Sequence, residues 1–440
     1  MTSPLPDGFT LLLTPLRAAL RASQPNTMEV LVRVQAPDAP ANAAPRPPQA
    51  IALVIDRSGS MGGRPIEEAR RCAEFAVSRM RPNDCVALVQ FDDVVERLWP
   101  ATPLGDGSAL RAAIGRIEAG GNTDLYGGWL EGAESLEPVP GSGLKRVVLL
   151  SDGCANHGLT DTQRIARQCA RWAERGITTS TYGLGNRFNE DLMVAMARAG
   201  GGNHYYGESA DDLMEPFQQE LDLLANLALR RVDLHVTVPA GLDVEMLNDM
   251  QPSGAGWRLP DLAWGAEAWA VLRITVPADA VPPIGGVLSV LTVAVTGARL
   301  DAGLTDVRPV HLQMPVLHPA EADAHPEDGL VRRRLTELAA AEVLTQMRSA
   351  AHAGRWDDVD RMLGQALGQF TGNDWVNDIL QAMTVLARSR SRERVAKEAM
   401  YASAKLSSRL AAKEEADIRF SRSDTPAFLR RKPLQGKKEL

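Results

Sequence analysis

Asp56, Ser58, Ser60, Thr123 and Asp152 are the residues of this chain whose types and spacing could assemble a binding site of hard oxygen donors. The first three alternate in Asp56-Arg57-Ser58-Gly59-Ser60-Met61-Gly62-Gly63, where the glycines permit a tight backbone path. Thr123 sits in Gly120-Gly121-Asn122-Thr123-Asp124-Leu125-Tyr126-Gly127-Gly128, a glycine loop at the start of a helix. Asp152 closes a strand as Ser151-Asp152-Gly153. Taken singly, Asp56 and Ser60 could equally cap the helix that follows them.

The positioning elements follow from the apolar patterning. Ile51-Ala52-Leu53-Val54-Ile55 is an unbroken apolar run bounded by turn formers, the signature of a strand buried on both faces of a parallel sheet. Ligands bind at the carboxyl edge of such sheets, and all three loops belong there. From Gln49 to about Leu224 strands alternate with helices: helix from Pro65 to Met80, strand Cys85 to Phe91, helices Ser108 to Ala119 and Leu125 to Leu136, strand Lys145 to Leu150. Helix Asp161 to Arg175, strand Ile177 to Tyr182, and helices Asn189 to Ala199 and Ala210 to Leu224 complete the series. The fold class is α/β, with a doubly wound, mostly parallel sheet.

At 440 residues the chain exceeds one ordinary domain. A composition of 45% hydrophobic and 23% charged residues fits a soluble globular protein, and a net charge of −7 argues against nucleic-acid binding. No apolar run approaches the ~20 residues that span a bilayer, the N-terminus lacks a basic start, and four cysteines are too few for a disulfide scaffold. A reduced, cytoplasmic protein is expected. Phe9 to Leu13 and the alternating Met28 to Val34 read as strands, the second with one wet face. Residues 227–318 read as an antiparallel β-sandwich, which the strands of residues 1–48 are expected to join across a Pro-rich linker, leaving 49–226 as an inserted domain. Residues 326–415 read as a helical domain of three helices, Glu327 to Ala351, Trp356 to Leu367 and Asn373 to about Ala412. Residues 416–440 read as a disordered basic tail.

Asp-x-Ser-x-Ser, then a distant Thr, then a distant Asp resembles the metal-ion-dependent adhesion site of the von Willebrand factor A domain, over about Gln49 to Leu224. The resemblance implies that Ser58, Ser60 and Thr123 ligate Mg²⁺, with Mn²⁺ or Ca²⁺ as alternatives, while Asp56 and Asp152 act directly or through water. It further implies a bacterial regulator or scaffold whose ion accepts a carboxylate from a protein partner. The chemistry agrees, since Mg²⁺ takes about six oxygens and suits neutral hydroxyls backed by carboxylates.

Catalysis finds no support. Ser58 lacks the Gly-x-Ser-x-Gly elbow, and Pro140-Gly141-Ser142-Gly143-Leu144-Lys145 misses the phosphate-loop spacing. A hydrolase using Mg²⁺-bound water is the enzymatic alternative, without a well-placed base. Cys154, His157 and Cys169 make a poor zinc set, His204 reads as packing, and Asp92-Asp93 reads as a solvated strand end. Trp257, Trp264 and Trp269 read as sandwich core, and Arg388, Arg390, Arg392, Arg394 and Lys397 as a solvated face.

In the tail, Asp424, Pro426, Phe428, Leu429 and Arg430 lie in Asp-Thr-Pro-Ala-Phe-Leu-Arg-Arg-Lys, an apolar anchor beside cations. The string resembles the C-terminal peptide of the bacterial tubulin-like division protein FtsZ, which implies a tail-binding partner. A self-assembling protein that recruits partners by this tail is the remaining alternative.

Overall fold

The computed structural model describes residues 2–4, 8–39, 46–141, 143–152, 155–184, 189–207, 209–254, 256–299, 303–408 and 410–412. They fall into two compact units, one built on Ala44–Ala225 and the other on Met1–Ala43 joined with Asn226–Pro433. The first strands, β1 (Thr2–Pro4), β2 (Thr10–Pro15), β3 (Leu20–Arg21) and β4 (Asn26–Gln35), belong to the discontinuous unit.

The continuous unit holds β5 (Ala50–Asp56), α1 (Arg64–Arg79), β6 (Cys85–Phe91), β7 (Val95–Pro103), α2 (Ser108–Ile114), α3 (Leu125–Leu136) and β8 (Lys145–Ser151). It continues with α4 (Thr162–Glu174), β9 (Ile177–Leu184), α5 (Glu190–Ala199), β10 (Gly201–Gly207) and α6 (Ala210–Ala225). The sheet order is β10-β9-β8-β5-β6-β7. Every pairing is parallel except β6 with β7. Strands β5 and β9 are buried at every position, as strands covered by helices on both faces must be. The amphipathic α1 buries Ile66, Ala69, Cys72, Ala73, Ala76 and Val77, one face of a helix. Strand β7 was not legible in the sequence: it is a half-exposed edge strand carrying Pro100, so it shows neither a buried run nor clean alternation. Helix α2 ends at Ile114, short of the expected Ala119.

Because β5 lies between β6 and β8, the chain leaves β5 in one direction and returns on its other side. The carboxyl ends of β5 and β8 therefore flank the switch point where α/β sheets open a crevice. Helix α3 is seated closely on this sheet. A Cβ at Gly128 would stand 2.3 Å from Phe91 Cδ1, and one at Gly132 would stand 2.4 Å from Val54 Cγ2.

A buried polar network ties α6 to the far strands. Arg146 of β8 is ion-paired with Glu220 of α6, both at most 2% exposed. Glu220 also accepts from Ser180 Oγ at 2.6 Å, Asn203 Nδ2 at 2.7 Å and Tyr205 Oη at 3.1 Å. Burial pushes the Glu220 carboxyl up, but Arg146, Ser180 and Asn203 outweigh it and hold it below its ordinary value.

The second unit continues with β11 (Leu227–Thr237), β12 (Asp243–Met246), β13 (Gln251–Ser253), β14 (Gly256–Arg258), β15 (Leu262–Ala263), β16 (Ala266–Val276), β17 (Val287–Arg299) and β18 (Gly303–Leu317). Helices α7 (Pro319–Ala324), α8 (Gly329–His352), α9 (Trp356–Gln369), α10 (Asp374–Ala387) and α11 (Arg392–Ser408) follow, then β19 (Ala411–Ala412). One sheet runs β1-β2-β4-β16-β12 with β19 beside β16; the other runs β13-β14-β11-β17-β18-β3 with β15 beside β11. Strand β4 pairs with β16 over its whole length, from Asn26↔Val276 to Gln35↔Glu267. The pairs are antiparallel apart from the short β3 with β18.

Strand β4 departs from the expected wet face. Leu31 is fully buried on that side, packed with Trp269 and Val271 of β16 against Val331 of α8. Arg334 of α8 lies over the Trp269 ring at 4.5 Å, paired with Glu337 at 2.8 Å and Glu267 at 3.4 Å. The helices are accordingly part of this unit and not a separate domain, and β19 adds directly to its sheet. Trp257 and Trp269 lie on different sheets, while Trp264 stacks on Phe9 at 6.4 Å. Asp328 caps α8, accepting from Leu330 and Val331 N at 3.0 Å each, which sets Val331 toward the core. Asp328→Ala is expected to cost about 1 kcal/mol and to lower the melting temperature of this unit by a few degrees in a thermal scan.

The third expected helix is two, α10 and α11. Arg390 takes a left-handed φ of 51° between them, and Ser391 restarts the chain by accepting from Arg394 N at 3.5 Å. Nor is the basic run uniformly solvated: Arg390 pairs with Asp360 at 2.7 Å and covers Trp356, and Lys397 is buried. Among the described residues no helix is long and apolar enough to cross a membrane.

Candidate metal centre

Asp56 ends β5 with no exposed surface, and both its carboxylate oxygens are held. Ser58 N donates to Oδ1 at 2.8 Å and Ser151 Oγ to Oδ2 at 2.5 Å, so the side chain ties the first loop to the end of β8. The Ser58 and Ser60 hydroxyls converge to 3.2 Å, Ser58 buried and Ser60 exposed. Helix α1 starts after Gly63 with no side-chain cap, so Asp56 and Ser60 do not serve as its N-cap.

Main-chain bonds lace the second loop to the first. Gly59 N donates to Gly121 O at 3.0 Å, and Gly120 N to Arg57 O at 2.7 Å. Gly121 has φ +66°, and a Cβ there would lie 2.1 Å from Asp93 Oδ1, so only glycine fits this approach. Thr123 is buried next to it. Its N donates to Asn156 Oδ1 at 2.8 Å, and its carbonyl accepts from Asn156 N at 3.2 Å and His157 N at 3.1 Å. Asp124 caps α3 by accepting from Gly127 N at 2.9 Å. Asp152 is buried at the end of β8, its carbonyl accepting from Asn189 N at 3.0 Å.

The structure therefore brings Asp56, Ser58 and Ser60 into one bonded loop, with Thr123 on the loop laced to it and Asp152 on the adjoining strand. Burial raises the Asp56 carboxyl to about 6 against the bonds from Ser151 and Ser58, and the negative charge of Asp152 adds to the rise. Among the described residues no three His, Cys, Asp or Glu side chains gather around a common point. A cation here would depend on hydroxyls as well as carboxylates, and that all-oxygen set fits Mg²⁺ or Mn²⁺ better than a softer ion.

The supporting residues were less legible. Asp92 is buried, not solvated: its Oδ2 pairs with Arg57 at 2.9 Å and its Oδ1 accepts from Val94 N at 2.8 Å. Asp93 accepts from Asn122 N at 3.1 Å, a bond that holds its carboxyl below the ordinary value. Ser151 and Asn156 show no sequence signal beyond standing near Asp152. Cys169 is a buried core thiol pushed up by burial, and His204 meets Thr181 Oγ1 at 2.9 Å. Gly153, Cys154 and the tail residues Asp424, Pro426, Phe428, Leu429 and Arg430 lie outside the described residues.

Residues 50–220 match the von Willebrand factor type A domain family. Over 211 residues it is 31% identical to inter-alpha-trypsin inhibitor heavy chain H3 of Rattus norvegicus, covering 45% of this chain and 23% of that one. It is 27% identical over 189 residues to an uncharacterized protein of Synechocystis sp., covering 43% of this chain and 44% of the other. The chain thus spans less than half the length of these relatives. Its fold is similar to that of a von Willebrand factor type A protein from Catenulispora acidiphila, with TM-score 0.64, 19% identity and coverage of 84% of this chain and 89% of that one. The ArnB paralog VWA2 from Sulfolobus acidocaldarius is similar with TM-score 0.57 and 18% identity, over 90% of this chain and 99% of its own.

Proposed function

We propose that this protein is a non-enzymatic, cytoplasmic interaction module that holds Mg²⁺ through Ser58, Ser60, Thr123, Asp56 and Asp152 and takes a carboxylate of a protein partner on the ion. The observation that carries this reading is the buried Asp56 carboxylate, anchored by Ser58 N and Ser151 Oγ beside the paired Ser58 and Ser60 hydroxyls. Hydroxyl ligands leave the ion with residual positive charge. Such an ion attracts an incoming anion more strongly than one already neutralised by carboxylates. The glycine loop at Gly121 fixes the position of Thr123 relative to Ser58 before the ion arrives.

Thermal unfolding of the full chain with MgCl₂ or with EDTA, followed across pH, tests the proposal. Between the ordinary value of 3.8 and about 6 the folded, metal-free protein keeps a proton on Asp56 that the unfolded chain has lost. This group therefore makes metal-free stability fall as pH rises through that window and level off above it. Mg²⁺ must displace the proton. The stabilisation it gives is expected in full above about pH 6 and to fade below it, apparent affinity dropping about tenfold per pH unit. A melting temperature that ignores Mg²⁺ at pH 7.5 would count decisively against the site.

A further inference from the structure

Arg164, Arg167, Arg171 and Arg175 recur at intervals of three, four and four residues along α4 and its C-cap, and all four are exposed. At 1.5 Å per residue the row is about 16 Å long. Several exposed helical arginines of this chain are ion-paired with an acid one turn away, as in Arg64–Glu68, Arg71–Glu68 and Arg361–Asp358. On α4 the arginines neighbour one another. Arg164 stands one turn from Arg167, Arg167 from Arg171, and Arg171 from Arg175, and like charges so placed weaken a helix by a few tenths of a kcal/mol per pair. Among the described residues Arg164, Arg167 and Arg171 make no ion pair, whereas Arg175 pairs with Glu137 and lies over Trp172 at 4.0 Å. Asp161, one turn before Arg164, caps the helix through Arg164 N, and Glu174 stands one turn after Arg171, yet among the described residues neither acid is ion-paired with the row, so three guanidinium groups stay exposed to a partner.

We propose that this face of α4 docks an acidic peptide segment of a protein partner, its carboxylates recurring about 6 Å apart to meet successive guanidinium forks. A nucleic acid fits less well. The row is one helix wide in a chain with 55 acidic and 48 basic residues and pI ≈ 5.6, whereas nucleic-acid domains are net basic. The docking needs no metal, so it is independent of the reading of the Asp56 site.

The test is fluorescence anisotropy on the full chain in EDTA at about 50 mM salt. A labelled helical peptide of about fourteen residues with Glu every third or fourth position is compared with its Gln counterpart and with oligo-dT of like length. The Glu peptide is expected to bind and the Gln peptide to fail. Arg167→Glu should weaken the Glu peptide by about tenfold or more, because it reverses the centre of the row. The same substitution sets a carboxylate four residues before Arg171, a favourable helix pair, so the melting temperature should not fall. That combination separates docking from a role in holding the helix. Unchanged affinity in Arg167→Glu, no binding of the Glu peptide, or tighter binding of oligo-dT would overturn the proposal.

Discussion

If Mg²⁺ binds as proposed, Asp56→Asn is expected to abolish the rise in melting temperature that the ion would give the native chain, while leaving the metal-free protein at least as stable above pH 6. Asparagine keeps the shape and one acceptor oxygen, so Ser58 N retains a partner and the amide can donate to Ser151. What disappears is the buried negative charge. In the metal-free protein that charge is unfavourable: a carboxyl raised from 3.8 to about 6 opposes folding at pH 7.5 by about 3 kcal/mol. At a Mg²⁺ concentration a hundredfold above Kd, binding contributes about 2.7 kcal/mol, or roughly 5–10 °C for a domain of this size. The native chain should show that shift in differential scanning fluorimetry and Asp56→Asn should show none. If the variant still responds to Mg²⁺, the ion binds elsewhere.

Glu220→Ala is expected to cost 3–5 kcal/mol, roughly 10 °C in melting temperature, with the loss falling on the unit that carries the candidate metal centre. The cost comes from what is left behind. Arg146 is 2% exposed, and without Glu220 its charge is left, among the described residues, with neutral partners: Thr178 Oγ1 at 2.9 Å, Ser180 Oγ at 3.3 Å and the Gly201 carbonyl at 3.5 Å. Breaking one side of a buried pair is far more damaging than removing both sides. The double change Arg146→Met with Glu220→Leu should therefore recover most of the lost stability when all three proteins are compared by urea titration. Equal losses in the single and double variants would mean that packing, not the orphaned charge, sets the effect.

How much of this could be read from residues alone depended on how local each signal is. Ile51 to Ile55 and Val147 to Leu150 announce themselves because helices on both faces demand unbroken apolar runs. Strand β7 does not, because an edge strand with Pro100 answers mainly to its neighbour β6. The break at Arg390 was hidden because Arg388-Ser389-Arg390-Ser391 contains neither Gly nor Pro, and its left-handed turn rests on the distant Asp360 and Trp356. Leu31 looked like an ordinary member of a half-wet strand, and only α8, some three hundred residues later, buries it. At the candidate metal centre the residues proposed as donors stand in the sequence as a spaced pattern. Their supports do not: Ser151, Asn156 and Asp92 are common polar residues whose work exists only once three loops have met.

The pairing of β4 with β16 also sets a timetable for synthesis. Roughly 230 residues separate Gln35 from Ala266, so at a ribosomal pace of about 5–20 residues per second the first strand waits some 10–50 s for its neighbour. The intervening unit, Ala44–Ala225, has left the ribosome by then and can complete its own sheet in the meantime. During that interval the bare edge of β4 is open to strands from other nascent chains, with the apolar row Met28, Val30, Val32 and Val34 uncovered beside it. Yield in the cell would then be governed less by the final stability of the product than by how well that waiting edge is shielded.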